Sequence, residues 1–234
     1  VAGNAYAERF DNCAIGGTAY YVTSFTNCTA PATQVFSPPL TPQNFPITQA
    51  QIDSWKADAL AGGILSSYSV GNNSSASLGP QKVEGNITLG NNATLTLTGT
   101  VWVTGNINLG NTDTIRLDAS YGSISGILLT DSPFDTGNSL VLLGSGSSSS
   151  YLMVLSTFGP SDAIDIGNSA AGAIFYAPNG IINIGNNLSL KEATGYGLYA
   201  GNNFTLTYES GLARTLFTSG PGGAFEIVNW KEIE

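Results

Sequence analysis

From about residue 64 onwards, the chain alternates apolar and polar residues in short runs that are separated by turn residues. Alternation with a period of two places successive side chains on opposite faces of a strand, so the pattern predicts many short β-strands. The side chains predicted to face the core of the first strands are Ile87, Leu89, Leu95, Leu97, Val101 and Val103. Those predicted to point outwards are Thr88, Thr94, Thr96, Trp102 and Asn108.

The strongest pattern is an internal repeat, in which residues 85–97 align with residues 105–117 at an offset of 20. The identical pairs are Gly85/Gly105, Asn86/Asn106, Ile87/Ile107, Leu89/Leu109, Gly90/Gly110, Asn91/Asn111, Thr94/Thr114 and Leu97/Leu117. The unit apolar-x-apolar-Gly-Asn returns later, with spacings that drift from 20 to 27, 30, 18 and 16 residues. A solenoid tolerates such insertions at its turns, and Gly and Asn enter left-handed corners at low cost. The repeat therefore predicts an all-β parallel β-helix over residues 64–234, with Asn side chains stacked at its corners.

A β-sandwich or a jelly roll is the alternative architecture. Both prefer strands of about five residues or more that are joined by hairpins. Strands of three residues in a 20-residue repeat fit the parallel β-helix better.

Residues 48–63 have the features of a helix and its stop. Thr48 and Gln51 form a capping box, and Ile47 and Ile52 form a hydrophobic staple. Gly62-Gly63 ends the helix. Ile52 and Trp55 share one face at helical spacing. Because an uncovered solenoid end exposes unpaired strand edges, we expect these two side chains to cover the N-terminal end of the β-helix.

Residues 1–47 show little periodicity and contain five prolines, so they are predicted to form an irregular N-terminal arm. Cys13 and Cys28 lie in this arm, and we expect a disulfide between them, with two buried free thiols as the alternative. The arm is rich in aromatic residues. It is expected to bury them by docking on its own β-helix or on that of a neighbouring copy.

From residue 47 to the end, the sequence resembles a β-helical domain of large extracellular bacterial proteins that often follows a PilX-like, pilin-type N-terminal segment. The stretches that carry the resemblance are residues 47–59 (ITQAQIDSWKADA) with Gly62-Gly63, 79–86 (GPQKVEGN), 97–106 (LTGTVWVTGN), 219–223 (SGPGG) and 230–234 (WKEIE). The resemblance implies a surface-displayed, right-handed β-helix. It implies no catalytic residues.

Charge and composition exclude several classes of function. The chain has 7 Lys and Arg against 16 Asp and Glu, and it has no His. Between Arg116 and Lys191 there is no cation, so binding to nucleic acid or to an anionic membrane surface is not expected. The absence of His excludes Ser-His-Asp triads and His-ligated zinc. No run of about 18 apolar residues is present, so no membrane span is predicted.

The remaining candidates for chemistry are carboxylate pairs and exposed aromatic residues. Three pairs are candidates for glycoside hydrolysis: Asp113/Asp118, Asp131/Asp135 and Asp162/Asp165. The second and third pairs are also candidates for a structural cation. Solvated turn residues are the simpler interpretation of all three, and no metal site is predicted. Trp102 is the main candidate for stacking on a glycan, with Tyr121, Phe175, Tyr196 and Tyr199 as weaker ones. The Thr rows are too short to favour ice binding.

Acceptor sequences for N-glycosylation occur at Asn27, Asn72, Asn73, Asn86, Asn92, Asn187 and Asn203. Together, these features predict an extracellular or cell-surface structural protein that needs no cofactor, is not an enzyme, and forms a surface filament or pilus-associated appendage. Its expected partners are copies of itself or other surface components. A monomeric adhesin that binds glycans and a polysaccharide-processing enzyme are the alternatives.

Overall fold

The computed structural model describes residues 2–36, 45–137, 139–167, 173–186, 188–201, 205–206, 217–220 and 223–225. In these residues the protein is mostly β, with parallel sheets and one α-helix. The chain divides into two compact units, Val1–Asn44 and Phe45–Glu234. We call them the N-terminal unit and the C-terminal unit.

The N-terminal unit contains a parallel sheet of β1 (Ala5–Asp11), β2 (Thr18–Thr26) and β3 (Ala32–Val35). The expectation of an irregular arm over residues 1–47 is therefore wrong. The sheet forms because this part of the chain contains a second repeat. Ala-Tyr followed by Phe-x-Asn-Cys occurs once in each of the first two strands and the turns after them. The second copy is one residue longer, and a register shift between the Ala7 and Arg9 pairs absorbs the difference.

Equivalent side chains of this repeat meet across the sheet. The predicted disulfide between Cys13 and Cys28 is confirmed, with a Cα–Cα distance of 4.4 Å. The rings of Tyr6 and Tyr20 stack with centroids 4.3 Å apart, and Phe36 packs edge-on against both. The aromatic residues thus pack on one another within the unit, whereas the sequence predicted that docking on a β-helix would bury them.

In the C-terminal unit, successive strands up to residue 117 visit three parallel sheets in turn, and we call one such passage a coil. In the later coils, most strands belong to the longest of these sheets. The long sheet holds β4 (Ile64–Leu65), β7 (Gln81–Val83), β10 (Val101–Val103), β13 (Gly126–Thr130), β14 (Phe134–Asp135), β16 (Leu152–Ser156), β17 (Asp162–Ile166), β18 (Ile174–Ile184) and β20 (Glu192–Ala200). The second holds β5 (Tyr68–Val70), β8 (Ile87–Leu89) and β11 (Ile107–Asn108). The third holds β6 (Ser75–Leu78), β9 (Thr94–Leu97), β12 (Thr114–Leu117) and β15 (Val141–Leu143).

Two smaller pairings complete the described strands. β19 (Ser189–Leu190) pairs in parallel with β21 (Thr205–Leu206), and β22 (Phe217–Gly220) pairs antiparallel with β23 (Gly223–Phe225). A 3-10 turn, Ala119–Tyr121, follows β12.

The register of the strands reproduces the repeat. Ile87 pairs with Ile107 at an offset of 20, and Thr114 pairs with Val141 at an offset of 27. Later pairs lie 30, 18 and 16 residues apart: Phe134/Ile164, Ile164/Ile182 and Ile182/Leu198. The predicted drift is thus confirmed, and the order in which the chain visits the sheets is solenoid-like.

The predicted alternation of faces is also confirmed. The six side chains assigned to the core are at most 3% exposed. Thr88 and Asn108 are exposed on the outer side. Thr96 points outwards but is only 8% exposed, and the Nε of Arg116 donates a hydrogen bond to its Oγ1.

Left-handed corners follow the Gly-Asn dipeptides at residues 71–72, 90–91 and 110–111. Asn73, Asn92 and Thr112 occupy equivalent corners with φ between 53° and 58°. The predicted ladders are present, since the N–H of Asn91 donates to Oδ1 of Asn72 and that of Asn111 donates to Oδ1 of Asn91, both at 2.9 Å. The left-handed residue is thus the one after the Gly-Asn pair, and the Asn of the pair carries the ladder.

The helix α1 (Gln49–Ala61) has the predicted capping box. The Thr48 Oγ1 accepts a hydrogen bond from the Gln51 N–H, and Oε1 of Gln51 accepts one from the Thr48 N–H at 2.9 Å. Ile52 and Trp55 are 2% and 1% exposed, as the apolar face predicts.

The expected location of α1 is wrong. Ile52 and Trp55 pack in a cluster with Ile127, Leu129 and Met153, which point outwards from the long sheet. The helix therefore covers the side of the parallel coils and not their N-terminal end. The reason is that β13 and β16 are apolar on both faces, so their outer face also needs a cover.

Candidate functional site: the open ends of the coils

The first coil of the C-terminal unit is incompletely covered. Its strands β4, β5 and β6 are the last strands of their sheets in the described residues. The inward side chains Leu65, Tyr68 and Ala76 are only partly buried. Their partners one coil further on, Val83, Ile87 and Leu95, are all 0% exposed. Solvent therefore reaches the apolar core at this end.

The last described coil is open in the same way. Strand β20 pairs with β18 on one side and has no further partner among the described strands. Leu198 is 50% exposed, whereas its partner Ile182 is fully buried. Tyr196 and Tyr199 of the same strand are 74% and 65% exposed. This end also presents apolar side chains beside unpaired backbone groups.

Neither end carries the features that usually prevent edge strands from pairing. Residues 64–78 contain no charged residue and no proline, and in β20 the charged residue, Glu192, is buried. Natural sheets commonly protect their edges with Lys, Pro or inward-pointing charges. The solvent-exposed side chains of both open ends are therefore uncharged, and each end has a row of backbone donors and acceptors.

Trp102, the predicted glycan contact, lies at the junction of α1 and the long sheet. The ammonium groups of Lys56 and Lys82 lie 4.9 Å and 4.7 Å from the centre of its ring. Its Nε1 donates a hydrogen bond to Oδ2 of Asp131 at 2.8 Å. The ring thus helps to hold the helix on the sheet, an arrangement that does not favour stacking on a sugar.

Asp131 is the centre of this junction. Lys56 lies 2.6 Å from its Oδ1, and Thr157 donates to the same oxygen at 2.6 Å. Burial disfavours the charged carboxylate, but the hydrogen bonds from Lys56, Thr157 and Trp102 outweigh it and lower the pKa of Asp131. Asp131 is therefore an ionised structural anchor.

The other predicted carboxylates lie in different surroundings, and Asp135 and Asp165 are strand partners. Asp113 is 1% exposed and accepts hydrogen bonds from the Ala93 and Gly110 N–H groups, so its interpretation as a solvated turn residue is wrong. Asp162 and Asp165 are exposed. Partial burial, then the charges of Asp135 and Asp162, raise the pKa of Asp165. Across the described residues, no three acidic, His or Cys side chains are grouped so that they could hold a metal ion.

Two of the weaker candidates for stacking on a glycan do not lie at the surface. Tyr121 and Phe175 are each 1% exposed and belong to the core of the C-terminal unit. Burial is the main cause that raises the pKa of Tyr121.

Several glycosylation sequons coincide with the corner ladders. Asn86 Oδ1 accepts a hydrogen bond from the Asn106 N–H, and Asn92 Nδ2 donates to Oδ1 of Asn73 at 3.1 Å. Asn27 has a left-handed backbone beside the disulfide. These Asn residues thus have structural roles that explain their frequency. Asn187 and Asn203 lie outside the described residues.

One buried acid was not found by sequence reasoning. Glu192 is 8% exposed, its Oε2 has no hydrogen-bond partner in the described chain, and burial raises its pKa to about 7. Its Oε1 accepts a hydrogen bond from Thr194 Oγ1 at 3.2 Å. No pattern in the sequence marked it, because its burial follows from its pairing with Ile174, which packs in the same cluster as Ile52 and Trp55 of α1.

Comparisons of this chain with protein-family models, with curated proteins and with solved structures find no match. Within the described residues, no helix is both long enough and apolar enough to cross a membrane. The function must therefore be argued from the geometry of the chain itself.

Proposed function

We propose that this protein is an extracellular structural protein whose C-terminal unit is a right-handed parallel β-helix and whose copies associate end to end in a surface filament or pilus-associated appendage. The observation that carries the proposal is the pair of open, uncharged ends. Each exposes core side chains that are fully buried one coil further inside.

Two different ends define a heterologous interface. When the first coil of one copy docks on the last coil of the next, the pairing does not close, and it generates a chain of subunits. The strands at both ends run in parallel sheets, so docking would extend these sheets from one copy to the next. Burial of side chains such as Leu65 and Leu198 supplies an apolar driving force.

The disulfide and the surface composition support an extracellular location. Disulfides persist in oxidising compartments, and Cys13 and Cys28 are bonded. Only 10% of the residues are charged. The resemblance to β-helical domains of bacterial surface proteins points in the same direction. An enzymatic role has less support, because Asp131 is tied to Lys56 and Asp113 is buried.

The test uses a charge placed at either end. Ala76→Lys puts an ammonium on the inward side of the first coil, where it can reach water in a free subunit but not in a docked one. Ser77→Lys places the same charge on the exposed, outward side of the same strand and is the matched control. We expect the wild type and Ser77→Lys to form filaments in electron micrographs and Ala76→Lys to remain monomeric in light scattering.

A second variant tests the polarity of the interface. Leu198→Lys blocks the opposite end, so each end variant alone should be monomeric, and a mixture of Ala76→Lys with Leu198→Lys should yield heterodimers. Homodimers of either variant would show that like ends meet, which contradicts a filament. A wild type that remains a monodisperse monomer at all concentrations would reject assembly altogether.

A further inference from the structure

A cleft of about 360 Å³ lies on the outside of the third sheet, at the corner that follows β12 and β15. It is lined by Arg116, Leu117, Asp118, Ala119, Leu143, Gly144, Ser145, Gly146 and Ser147. Its volume falls in the lower part of the range of small-molecule sites, which is about 300–1,000 Å³. It shares no residue with the open ends.

The cleft exists because this corner is enlarged in two successive coils. In the preceding coil, β9 and β10 are joined by the short turn 98–100. After β12 and after β15, the corresponding connections are the longer segments 118–125 and 144–151. Insertions at equivalent turns of a solenoid project on one face, and such faces often bind ligands.

The two enlarged loops are fixed to each other. Ser145 Oγ donates to the Gly122 carbonyl oxygen, and Ser150 Oγ donates to the Ile124 carbonyl oxygen at 2.7 Å. The N–H of Tyr151 donates to Ser125 Oγ at 2.9 Å. The wall of the cleft is thus built from hydrogen-bonded loops and is held in place before any ligand arrives.

Three side chains give the cleft its chemistry. Arg116 Nε donates to Thr96 Oγ1, which orients the guanidinium, and its terminal nitrogens donate to none of the described residues. Asp118 accepts hydrogen bonds from the Ser120 hydroxyl and N–H on Oδ1, and these bonds, together with the charge of Arg116, lower its pKa. Leu143, the strand partner of Arg116, is 46% exposed.

We propose that this cleft binds a neutral carbohydrate, whose vicinal hydroxyls accept from Arg116 and donate to Asp118 while the C–H face of the ring lies on Leu143. The argument for a neutral ligand is the balance of one positive and one negative side chain in the same cleft. An anion would meet the Asp118 carboxylate and a net charge of −9, and a cation would meet the Arg116 guanidinium. The hydroxyls of Ser145 and Ser147 offer further partners for sugar hydroxyls.

The experiment is a titration of the isotopically labelled, full-length Ala76→Lys protein, which keeps the cleft but is designed not to assemble. The probes are neutral oligosaccharides (cellotriose, chitotriose and lactose), with galacturonate and calcium chloride as charged probes. We expect at least one neutral sugar to shift the amide signals of residues 116–119 and 143–147 with millimolar affinity. Arg116→Met and Asp118→Asn should each weaken this binding about tenfold or more.

The matched control is Arg9→Met, which removes the same charge from an exposed position in the N-terminal unit and should leave binding unchanged. Shifts caused only by galacturonate or only by calcium would overturn the assignment to a neutral sugar. An absence of shifts with all three neutral sugars would overturn the site. Because the readout is independent of filament formation, failure of the cleft and failure of end-to-end assembly are distinguishable. If Ala76→Lys does not fold, Leu198→Lys serves in its place.

Discussion

The N-terminal and C-terminal units both stack parallel strands, but they are stabilised by different interactions. In the N-terminal unit, equivalent residues recur after 14 or 15 positions, and Ile15 and Ala19 are the buried apolar residues in its described part. In the C-terminal unit, the repeat is 16–30 residues, and the core contains many aliphatic side chains that are 0% exposed.

The difference shows that the length of a coil determines how large a core the unit can enclose. A short coil encloses little volume, so it cannot bury several large side chains inside. The N-terminal unit instead joins its coils through the Cys13–Cys28 bond and stacks Tyr6 on Tyr20. A longer coil encloses a packed core, and hydrophobic burial then suffices without a covalent link. Small domains with too little core commonly depend on disulfides in this way.

The largest expected effect concerns the helix that covers the C-terminal unit. Trp55→Ala should lower the free energy of unfolding of this unit by about 3–5 kcal/mol, because it leaves a cavity between α1 and the long sheet. Trp55→Phe is the control and should cost much less, since it keeps most of the ring and removes an indole N–H that has no partner in the described chain.

The measurement is chemical denaturation followed separately for each unit. All three Trp residues, Trp55, Trp102 and Trp230, belong to the C-terminal unit, so their fluorescence reports on it alone. In the isotopically labelled protein, amide signals of residues 5–35 report on the N-terminal unit; if they are lost at the same denaturant concentration in the wild type and in Trp55→Ala, this unit folds independently. An unchanged fluorescence midpoint in Trp55→Ala would contradict the role of the helix.

Removal of the disulfide should destabilise the N-terminal unit and leave the stability of the C-terminal unit unchanged. The double variant Cys13→Ser/Cys28→Ser opens a loop of 15 residues, which is worth about 3 kcal/mol by the chain-entropy relation. We expect the amide signals of residues 5–35 to be lost at a much lower denaturant concentration and the Trp transition to stay in place. A Trp transition that moves together with these amide signals would mean that the disulfide also stabilises the C-terminal unit.

The same contrast explains what the sequence could predict. The repeat of Ile87 and Ile107 and the capping box at Thr48 are local patterns, and both are confirmed. The repeat in the N-terminal unit was missed because one extra residue between Tyr20 and Phe25 shifts its register. Local patterns show that Trp55 must be covered, but they do not show by which surface.

A signal for that surface was present in the runs Gly126–Thr130 and Leu152–Ser156. These strands are buried at every position, which indicates cover on both faces. The open ends have no comparable local signal, because Leu65 and Leu198 lie in the same alternating pattern as the fully buried residues. Their exposure depends on where the described coils end, which no local pattern indicates.

Glu192 should make the stability of the C-terminal unit depend on pH. Burial raises its pKa to about 7, so the folded C-terminal unit favours the protonated acid. Stability is therefore lost as the pH rises from the ordinary pKa of Glu towards 7, by about 2–3 kcal/mol between about pH 5 and about pH 8. Tyr176 is the titratable group that interacts with it, and it stays neutral in this range.

Glu192→Gln should remove this pH dependence from the Trp transition. Glu8→Gln, at an exposed position in the N-terminal unit, is the control and should leave the Trp transition of the C-terminal unit unchanged at every pH. If the wild type were equally stable at both pH values, the interpretation of Glu192 as a buried neutral acid would be wrong.

Asp131 should respond to pH in the opposite direction. Its lowered pKa means that its contribution is present above the ordinary pKa of Asp and is lost as the pH falls through the folded value, below about pH 4. Asp131→Asn should cost about 1–2 kcal/mol at neutral pH, a figure reduced by the partial exposure of the pair with Lys56. Asp162→Asn, at an exposed position, should change the Trp transition by less than the experimental error.

The smallest expected effect compares the left-handed corners that both units share. Asn27 in the N-terminal unit has φ of 51°, and Asn92 in the C-terminal unit has φ of 56°. An Ala at either position is strained by about 1 kcal/mol relative to Gly, because its Cβ is disfavoured in this conformation. At Asn92, both substitutions also remove the ladder bonds to Asn73 and Thr112, so the difference between Asn92→Ala and Asn92→Gly isolates the strain. Equal differences at residues 27 and 92 would show that the two units use the same corner. A difference confined to residue 92 would show that the backbone at residue 27 relaxes out of the left-handed conformation when Ala replaces Asn.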